Sequence, residues 1–315
     1  MRITLKKILV HILYFSGINF LYSLFVGKKI FVFAHHSVSG NKDDNLEEIL
    51  YPNLSIDVFV LHKRLEYLKK RGHTFITLSE LDRLDSENIK KPTIIYFDDG
   101  FRDILENAIP VLKEFGIPAT IFVSPDLSDK KDFLWTMKHR LYLSERQSDK
   151  EEIETEIADL KKLSDKQRIA YLEGLYKDNN FAFTPKSFNL FLDWEDIKFL
   201  ANHGFEIGSH SMSHKKLTEC DGAELDYEIK ESKKVIEEKI GKSVKSFSYP
   251  YGRRNALVDQ VIREAGYKFV VSAGIGLDGK EVGNGTTAFL KNVQIGINDN
   301  IIDFKVKIYS WNLFK

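Results

Sequence analysis

A repeated alternation is the strongest constraint on this chain. Beyond Lys29, short runs of β-branched and aromatic residues alternate with helical stripes, and the stripes stop at glycines. The strand-like runs are Ile30 to Ala34, Thr74 to Leu78, Thr93 to Phe97, Ala119 to Val123, Phe205 to Gly208, Val244 to Tyr249 and Tyr267 to Ser272. Most do not alternate strictly between apolar and polar, as expected of strands covered on both faces. Val58, Leu61, Leu65 and Leu68 form a helical stripe ending near Gly72, and Ile104, Ala108, Val111 and Leu112 form another before Gly116. Ile229, Val235, Ile236 and Ile240 run to Gly241, and Leu257, Val261, Ile262 and Ala265 run to Gly266. A glycine after each stripe predicts a left-handed C-cap leading into the next strand. Repeated strand–helix units with short αβ turns require a parallel sheet. About seven of them predict an α/β fold of the distorted (β/α) barrel type rather than an open sheet. A chain of 315 residues buries roughly three quarters of its unfolded surface, enough for such a core.

Two segments depart from the pattern. From about residue 126 to 192 the chain is charged and helical, with Glu151 to Leu163 reading as a solvated helix. This predicts a helical insertion on one βα loop, on the face where barrels place their active sites. At the N-terminus, Ile8 to Gly27 contain no acid, Lys or Arg, a run about long enough for a bilayer core. Arg2, Lys6 and Lys7 before it and Lys28 and Lys29 after it are too balanced to set an orientation. No small-residue cleavage site follows Phe25, so a removable signal peptide is not expected. His11, Ser16, Gly17, Asn19 and Ser23 would cost energy at a bilayer centre, while Leu5, Ile8, Leu9, Ile12 and Leu13 follow the stripe of an interfacial helix. A span, an interfacial helix and a helix capping the domain all stay open; membrane association is the expectation. The organisation is then an N-terminal membrane-associated helix over 1–28 and a domain over 29–315 carrying the insertion. The tail from Ile301, with Phe304, Val306, Ile308 and Trp311, predicts a last helix or edge element.

Composition narrows the function. The 46 Lys and Arg balance 46 Asp and Glu, which argues against nucleic acid as a partner and gives no reason for a strongly anionic substrate. The single cysteine, Cys220, excludes an internal disulfide framework, so any metal must be held by His and carboxylate.

Four short stretches carry candidate chemistry, each at a predicted strand end. Asp98-Asp99-Gly100 closes the Thr93 to Phe97 strand; adjacent carboxylates there call for a compensating cation, although an exposed Asx turn reads the same way. His210-Ser211-Met212-Ser213-His214 follows the Phe205 to Gly208 strand. Four-residue spacing places both imidazoles on one side of a helical turn, as two neighbouring ligands of a metal. Two His and one Asp leave positions open for water and substrate, as in catalytic sites. A lone pair of histidines at this spacing is ordinary helix surface, and it is the joint occurrence with the carboxylates that favours a site. Ser248-Tyr249-Pro250-Tyr251-Gly252 ends the next strand, where proline lacks an N–H and the Tyr251 N–H can be held for a ligand, or where Gly252 simply makes a turn. His35-His36 ends the first strand, and a histidine there serves equally as a proton donor or as a hydrogen-bonded structural group.

Taken together these stretches resemble the polysaccharide deacetylase family, carbohydrate esterase family 4 or the NodB-homology domain. Ile94-Ile95-Tyr96-Phe97-Asp98-Asp99-Gly100 looks like its first motif, Ser209 to His214 like its metal-binding motif and Phe247 to Gly252 like its third. The similarity extends over most of Lys29 to Ile297 and leaves the first 28 residues, the insertion and the tail uncovered. The resemblance implies a metal-dependent hydrolase that removes N-acetyl groups from an N-acetylated sugar, in a polysaccharide or on a lipid carrier, and releases acetate. It implies Asp99, His210 and His214 as ligands of a divalent metal, most simply Zn2+. It further implies Asp98 as the general base, the Tyr251 N–H as an oxyanion donor, and Trp194 and Pro250 in the pocket wall; ordinary core packing is the other account of Trp194.

The chain departs from the common pattern in two places. No histidine follows His214, so the usual C-terminal proton donor is missing. The poly-N-acetylglucosamine deacetylase-like subfamily carries a tyrosine–histidine pair on the first strand, which Phe33-Ala34-His35-His36-Ser37-Val38 resembles with His35 in the tyrosine's place. That makes His36 the candidate acid. Ser248 also stands where the third motif usually has arginine, and Arg102 and Arg254 are candidates, by proximity in sequence, for orienting Asp98. Two rival readings stand beside this one: a non-haem iron oxygenase using the same ligand types, which the βα alternation disfavours, and a catalytically inactive, membrane-tethered carbohydrate-binding protein. The latter should have lost a ligand or the base. An anchored location in the cell envelope, with an N-acetylated glycan as partner, is the expectation.

Overall fold

The computed structural model describes residues 30–40, 50–52, 54–83, 89–129, 133–182, 189–272, 287–291, 295–296 and 299–310. The expected N-terminal apolar helix over 1–28 lies outside the described residues, as does Trp311. No helix among the described residues is long and apolar enough to cross a membrane.

The strands are β1 (Phe31–His35), β2 (Ser37–Ser39), β3 (Ser55–Asp57), β4 (Thr74–Phe75), β5 (Pro92–Phe97), β6 (Thr120–Val123), β7 (Glu206–Ser209), β8 (Ser246–Ser248), β9 (Phe269–Ser272) and β10 (Ala288–Lys291). One parallel ladder runs β1-β5-β6-β7-β8-β9-β10, with β4 paired to the start of β5; β2 and β3 form a separate parallel pair. Val32 and Ala34 of β1 share a cluster with Ile94 and Tyr96 of β5, Phe122 of β6, Phe269 and Val271 of β9, and Ala288 and Leu290 of β10. Side chains from both ends of the ladder therefore meet, so the sheet curls into a nearly closed barrel. The odd-numbered neighbours Phe31, Phe33, Ile95, Phe97, Ile121 and Val123 pack outward under the helices. β5, β6, β8 and β9 are thus buried on both faces, which is why their sequence runs lack polar alternation.

The main helices are α1 (Val58–Lys70), α2 (Ile109–Phe115), α3 (Trp135–Glu145), α4 (Lys150–Leu160), α5 (Asp165–Asp178), α6 (Trp194–Asn202), α7 (Ser232–Ile240), α8 (Ala256–Glu264) and α9 (Ile301–Ser310). Their starts follow local chemistry. Asp57 caps α1 by accepting from Phe59 N and Val60 N at 2.8 and 3.1 Å, and Asp193 caps α6 in a capping box with Asp196. Gly116 and Gly241 end α2 and α7 in the left-handed region, at φ 61° and 68°, where a Cβ would be strained.

A different constraint acts on Gly208. Phe122 fills the barrel interior edge-on to Tyr96, ring centroids 5.5 Å apart, and a Cβ at Gly208 would meet the Phe122 ring at 2.4 Å. At the N-terminal end of the barrel, Glu206 accepts from Ser79 N (2.9 Å), Ser79 Oγ (2.7 Å), Thr120 Oγ1 (3.1 Å) and Ser246 Oγ. Beyond β10, α9 returns to β1. Phe304 lies 5.8 Å from Phe33, and Arg64 of α1 donates to the Gly296 and Asp299 carbonyls at 3.0 and 2.8 Å.

Helices α3 to α5 lie between β6 and β7 and hold a small core of their own, Tyr142, Leu143, Leu160, Leu172 and Tyr176. The strand β10 and the β2–β3 pair have no counterpart in the sequence reading.

Candidate metal and catalytic site

Strand register assembles the site at the C-terminal end of the barrel. β1 pairs with β5 so that His35 faces Phe97, and Asp98 N–H donates to the His35 carbonyl at 2.9 Å. His36 and Asp98 therefore leave neighbouring strands at one level. β6 pairs with β7 at Val123↔Ser209, and β7 with β8 at Ser209↔Phe247, which puts His210 and Ser248 at that level too.

The turn after β5 is held from both sides. Asp99 and Gly100 both adopt positive φ, 67° and 68°. Leu192 N–H donates to the Gly100 carbonyl and Arg102 N–H to the Leu190 carbonyl, both at 2.8 Å, while Phe101 stacks on Phe191 at 5.2 Å. The segment entering α6 thus fastens the turn that carries both aspartates.

The stretch from His210 to His214 is not a helical turn, contrary to the spacing argument. It is a bent loop in which Ser211 and His214 have φ of 63° and 58°. The reason is local: Ser211 Oγ accepts the His214 N–H at 3.0 Å, and Ser213 N–H is taken by Glu228 at 2.9 Å, replacing helical partners. The bend still converges both imidazoles on Asp99. His210 Nε2 and His214 Nε2 lie 3.3 and 3.2 Å from Asp99 Oδ1, and the three ligand atoms lie within 4.8 Å of one another.

The donor set fits a divalent cation. His210 Nδ1 faces the Ser248 carbonyl at 2.9 Å, which assigns its proton to Nδ1 and leaves the Nε2 lone pair toward Asp99. Asp99 Oδ1 is buried with no hydrogen-bond partner among the described residues, although two ring nitrogens sit beside it. Three electron-pair donors aimed at one another without hydrogen bonds make a cation-binding arrangement. Its composition, two imidazoles and a carboxylate, suits Zn2+ and also other divalent metals.

Charge is unevenly distributed. Burial pushes the Asp98 carboxyl above its ordinary range, against the pull of His210 and His36 and a hydrogen bond from the Ser248 side chain. Burial acts on Asp99 in the same direction, but positive charge at His210 and His214 outweighs it and holds that carboxyl well below the usual range; a bound cation would act in the same sense. Asp98 Oδ1 lies 3.9 Å from His210 Nδ1 and, like Asp99 Oδ1, has no hydrogen-bond partner among the described residues. On the first strand, burial, Arg64 and His36 push the His35 imidazole down to about 3, and its ring packs on Phe97 at 5.6 Å.

Tyr251 has φ of 58° and meets the His214 ring edge-on at 4.8 Å; Pro250 before it is buried. Trp194 stands in the first turn of α6, donates to Asp129 Oδ1 at 2.6 Å and packs partly buried against the outer core. Neither arginine candidate turns to Asp98. Arg102 pairs with Asp196, and Arg254 with Asp259, which also accepts from Tyr249 OH at 2.6 Å. Ser248, the residue in the arginine's place, lies beside Asp98 and orients His210 through its carbonyl. Sequence reasoning missed this role because it searched for another cation.

The family model for polysaccharide deacetylase matches residues 85–270. A poly-beta-1,6-N-acetyl-D-glucosamine N-deacetylase of Staphylococcus aureus is 26% identical over 220 residues, covering 69% of this chain and 60% of that protein. The chain thus spans about three fifths of that relative's length. Among solved structures, a polysaccharide deacetylase from Bacillus cereus is similar with a TM-score of 0.61 at 17% identity, covering 89% of this chain and 69% of that one. A Streptococcus pyogenes deacetylase in complex with acetate is similar with a TM-score of 0.60 at 19% identity, covering 86% and 93%. These two likenesses are of fold.

Proposed function

The chain belongs to the polysaccharide deacetylase family, and from that premise we propose that it is a metal-dependent carbohydrate N-deacetylase. It removes acetyl groups from an N-acetylated sugar in a polysaccharide or lipid-linked glycan, releasing acetate. One observation carries the reading: Asp99 is drawn into the ligand cluster with His210 and His214, while its neighbour Asp98 stays outside it with an open, buried oxygen.

Asp99, His210 and His214 would hold the divalent cation, most simply Zn2+. Such a cation supplies Lewis acidity to the attacking water and to the acetamide carbonyl. Everything else falls to side chains and backbone of this chain. Asp98 is the general base, and a carboxyl raised by burial lies closer to the working pH, where proton transfer is most effective. The Tyr251 N–H is the donor to the developing oxyanion, next to the His214 ring. His36, one residue beyond β1 and electrostatically coupled to both aspartates, protonates the departing amine. Pro250 and Trp194 stand at the pocket wall.

The substrate reading is supported by the named activity of the Staphylococcus aureus relative and by the neutral net charge. We assign residues 1–28 to membrane association and the protein to the cell envelope. Membrane fractionation of the full chain beside a version lacking 1–28 tests this; equal recovery in the soluble fraction would overturn it. The activity is tested by acetate release from N-acetylglucosamine oligomers, with chelator and with added Zn2+. Chelator-sensitive acetate supports the assignment, and metal-loaded protein that releases none from polymeric or lipid-linked substrates overturns it.

A further inference from the structure

The helical insertion is fastened to the catalytic loops at two points. Trp135, at the start of α3, donates its indole N–H to Tyr251 OH at 3.2 Å. Asp165, at the start of α5, accepts from Lys216 N–H at 2.9 Å, two residues beyond His214, and its own N–H goes to Glu219 at 2.6 Å. Arg168, one turn further along α5, is buried; it pairs with Asp165 and lies with its guanidinium carbon 4.3 Å from the Trp135 ring centre. The Tyr251 phenol therefore stands between the metal-ligand loop on one side, through the His214 ring, and the insertion on the other.

Tyr251 needs such support. Its φ of 58° belongs to the left-handed region, which a bulky side chain avoids unless its surroundings fix it. Turn hydrogen bonds from the Gly252 N–H to the Tyr249 carbonyl (2.9 Å) and from the Arg253 N–H to the Pro250 carbonyl (3.3 Å) hold part of this backbone, and the side-chain contacts hold the phenol. We propose that Trp135 is a positioning residue: the insertion, through the Trp135 N–H and the Arg168 guanidinium stacked on the indole, clamps the Tyr251 phenol and so fixes the backbone that serves the reaction. This rests on the deacetylase reading for the role of the Tyr251 N–H, but the clamp itself is a matter of local geometry. It gives the insertion a function: part of the active site's rigidity is supplied by a segment outside the barrel.

Two conservative variants isolate the contact. Trp135→Phe keeps an aromatic ring for Arg168 and loses the N–H; Tyr251→Phe keeps the ring and backbone and loses the acceptor. Hydrogen exchange of the peptide over residues 249–254 should quicken in each and no further in the double variant, while exchange in β5 stays unchanged. With Zn2+-loaded protein and N-acetylglucosamine oligomers, kcat should fall about threefold to tenfold in each single variant, the size of one neutral hydrogen bond. KM should stay within about twofold, and the double variant should match the singles, because both remove one interaction. Additive losses overturn the proposal, as does unchanged exchange over 249–254. A rise in KM at constant kcat also overturns it, since that would make Trp135 a substrate platform. Were the wild type to release no acetate under any condition, the deacetylase reading would fall while the exchange data still decide whether the clamp exists.

Discussion

Asp98 and Asp99 are adjacent and both buried, yet their surroundings drive their carboxyl groups in opposite directions. Burial raises Asp98, and the nearby imidazoles only partly offset it. The same burial on Asp99 is overcome by two ring nitrogens at 3.2 and 3.3 Å. Paired carboxylates separated in this way divide into one that prefers to hold a proton and one that prefers to stay ionised. That is the division a base and a metal ligand require.

Asp98→Asn should therefore keep the cation and lose turnover. Removing a general base costs about 10²- to 10⁴-fold in rate, and metal content by elemental analysis should stay at the wild-type stoichiometry. Asp99→Asn should do the reverse, losing bound metal first. Loss of metal in the Asp98 variant would mean that the two roles are exchanged.

The barrel interior makes a steric prediction. Gly208 is required by Phe122, whose ring occupies the space a Cβ would need. Overpacking a close-packed core costs about 1–3 kcal/mol, so Gly208→Ala should lower stability by that amount in urea unfolding. Adding Phe122→Leu should recover part of the loss, since the two sites share one space. A neutral Gly208→Ala would show that the ring has room to move.

Acid should weaken the fold through His73. Burial, with Lys91 and Arg71 nearby, pushes this imidazole from 6.5 down to about 3, and it faces Thr93 Oγ1 at 2.7 Å and the Phe31 ring at 4.8 Å. Between those values the unfolded chain binds a proton that the folded one refuses. Its contribution is present above about pH 6.5 and is lost as pH falls toward 3, at up to about 1.4 kcal/mol per pH unit. His73→Gln should flatten the stability profile between pH 6.5 and 4, measured by urea midpoints, relative to wild type. An unchanged slope would place the acid sensitivity elsewhere.

The parts of this molecule legible in the sequence are those set by short-range rules. The runs at Thr93 to Phe97 and Tyr267 to Ser272 overlap β5 and β9 because strands buried on both faces must be continuously apolar. Gly116 and Gly241 end their helices because only glycine enters the left-handed region freely. The convergence of Asp99, His210 and His214 was legible as spacing, but its local form was not: Ser211 Oγ and the Glu228 carboxylate take the His214 and Ser213 N–H groups, and the loop bends where a helix was expected. Ser248 was legible only as a departure from the motif, and the roles of Ser248 and Trp135 were not, because a carbonyl that orients His210 and an indole that meets Tyr251 come from segments brought together only by the folded barrel.

The last expectation separates the two histidines of the first strand. His35 ends β1 against Phe97 and is pushed down to about 3 by burial, Arg64 and His36, so at neutral pH it stays the neutral imidazole, a poor general acid. His36 lies one residue further on, beyond the ladder, where its charge acts on both Asp98 and Asp99. A proton delivered to the leaving amine should come from the second. His36→Ala should lower kcat about 10²- to 10⁴-fold with metal retained, and a substrate carrying a better leaving group than an amine should recover much of that loss. His35→Ala should reduce thermal stability, as truncation of a packed ring does, and leave kcat within a few-fold of wild type. Small and equal kinetic effects for both would remove the first strand from the chemistry and leave the proton donor to be sought on another loop of the same face.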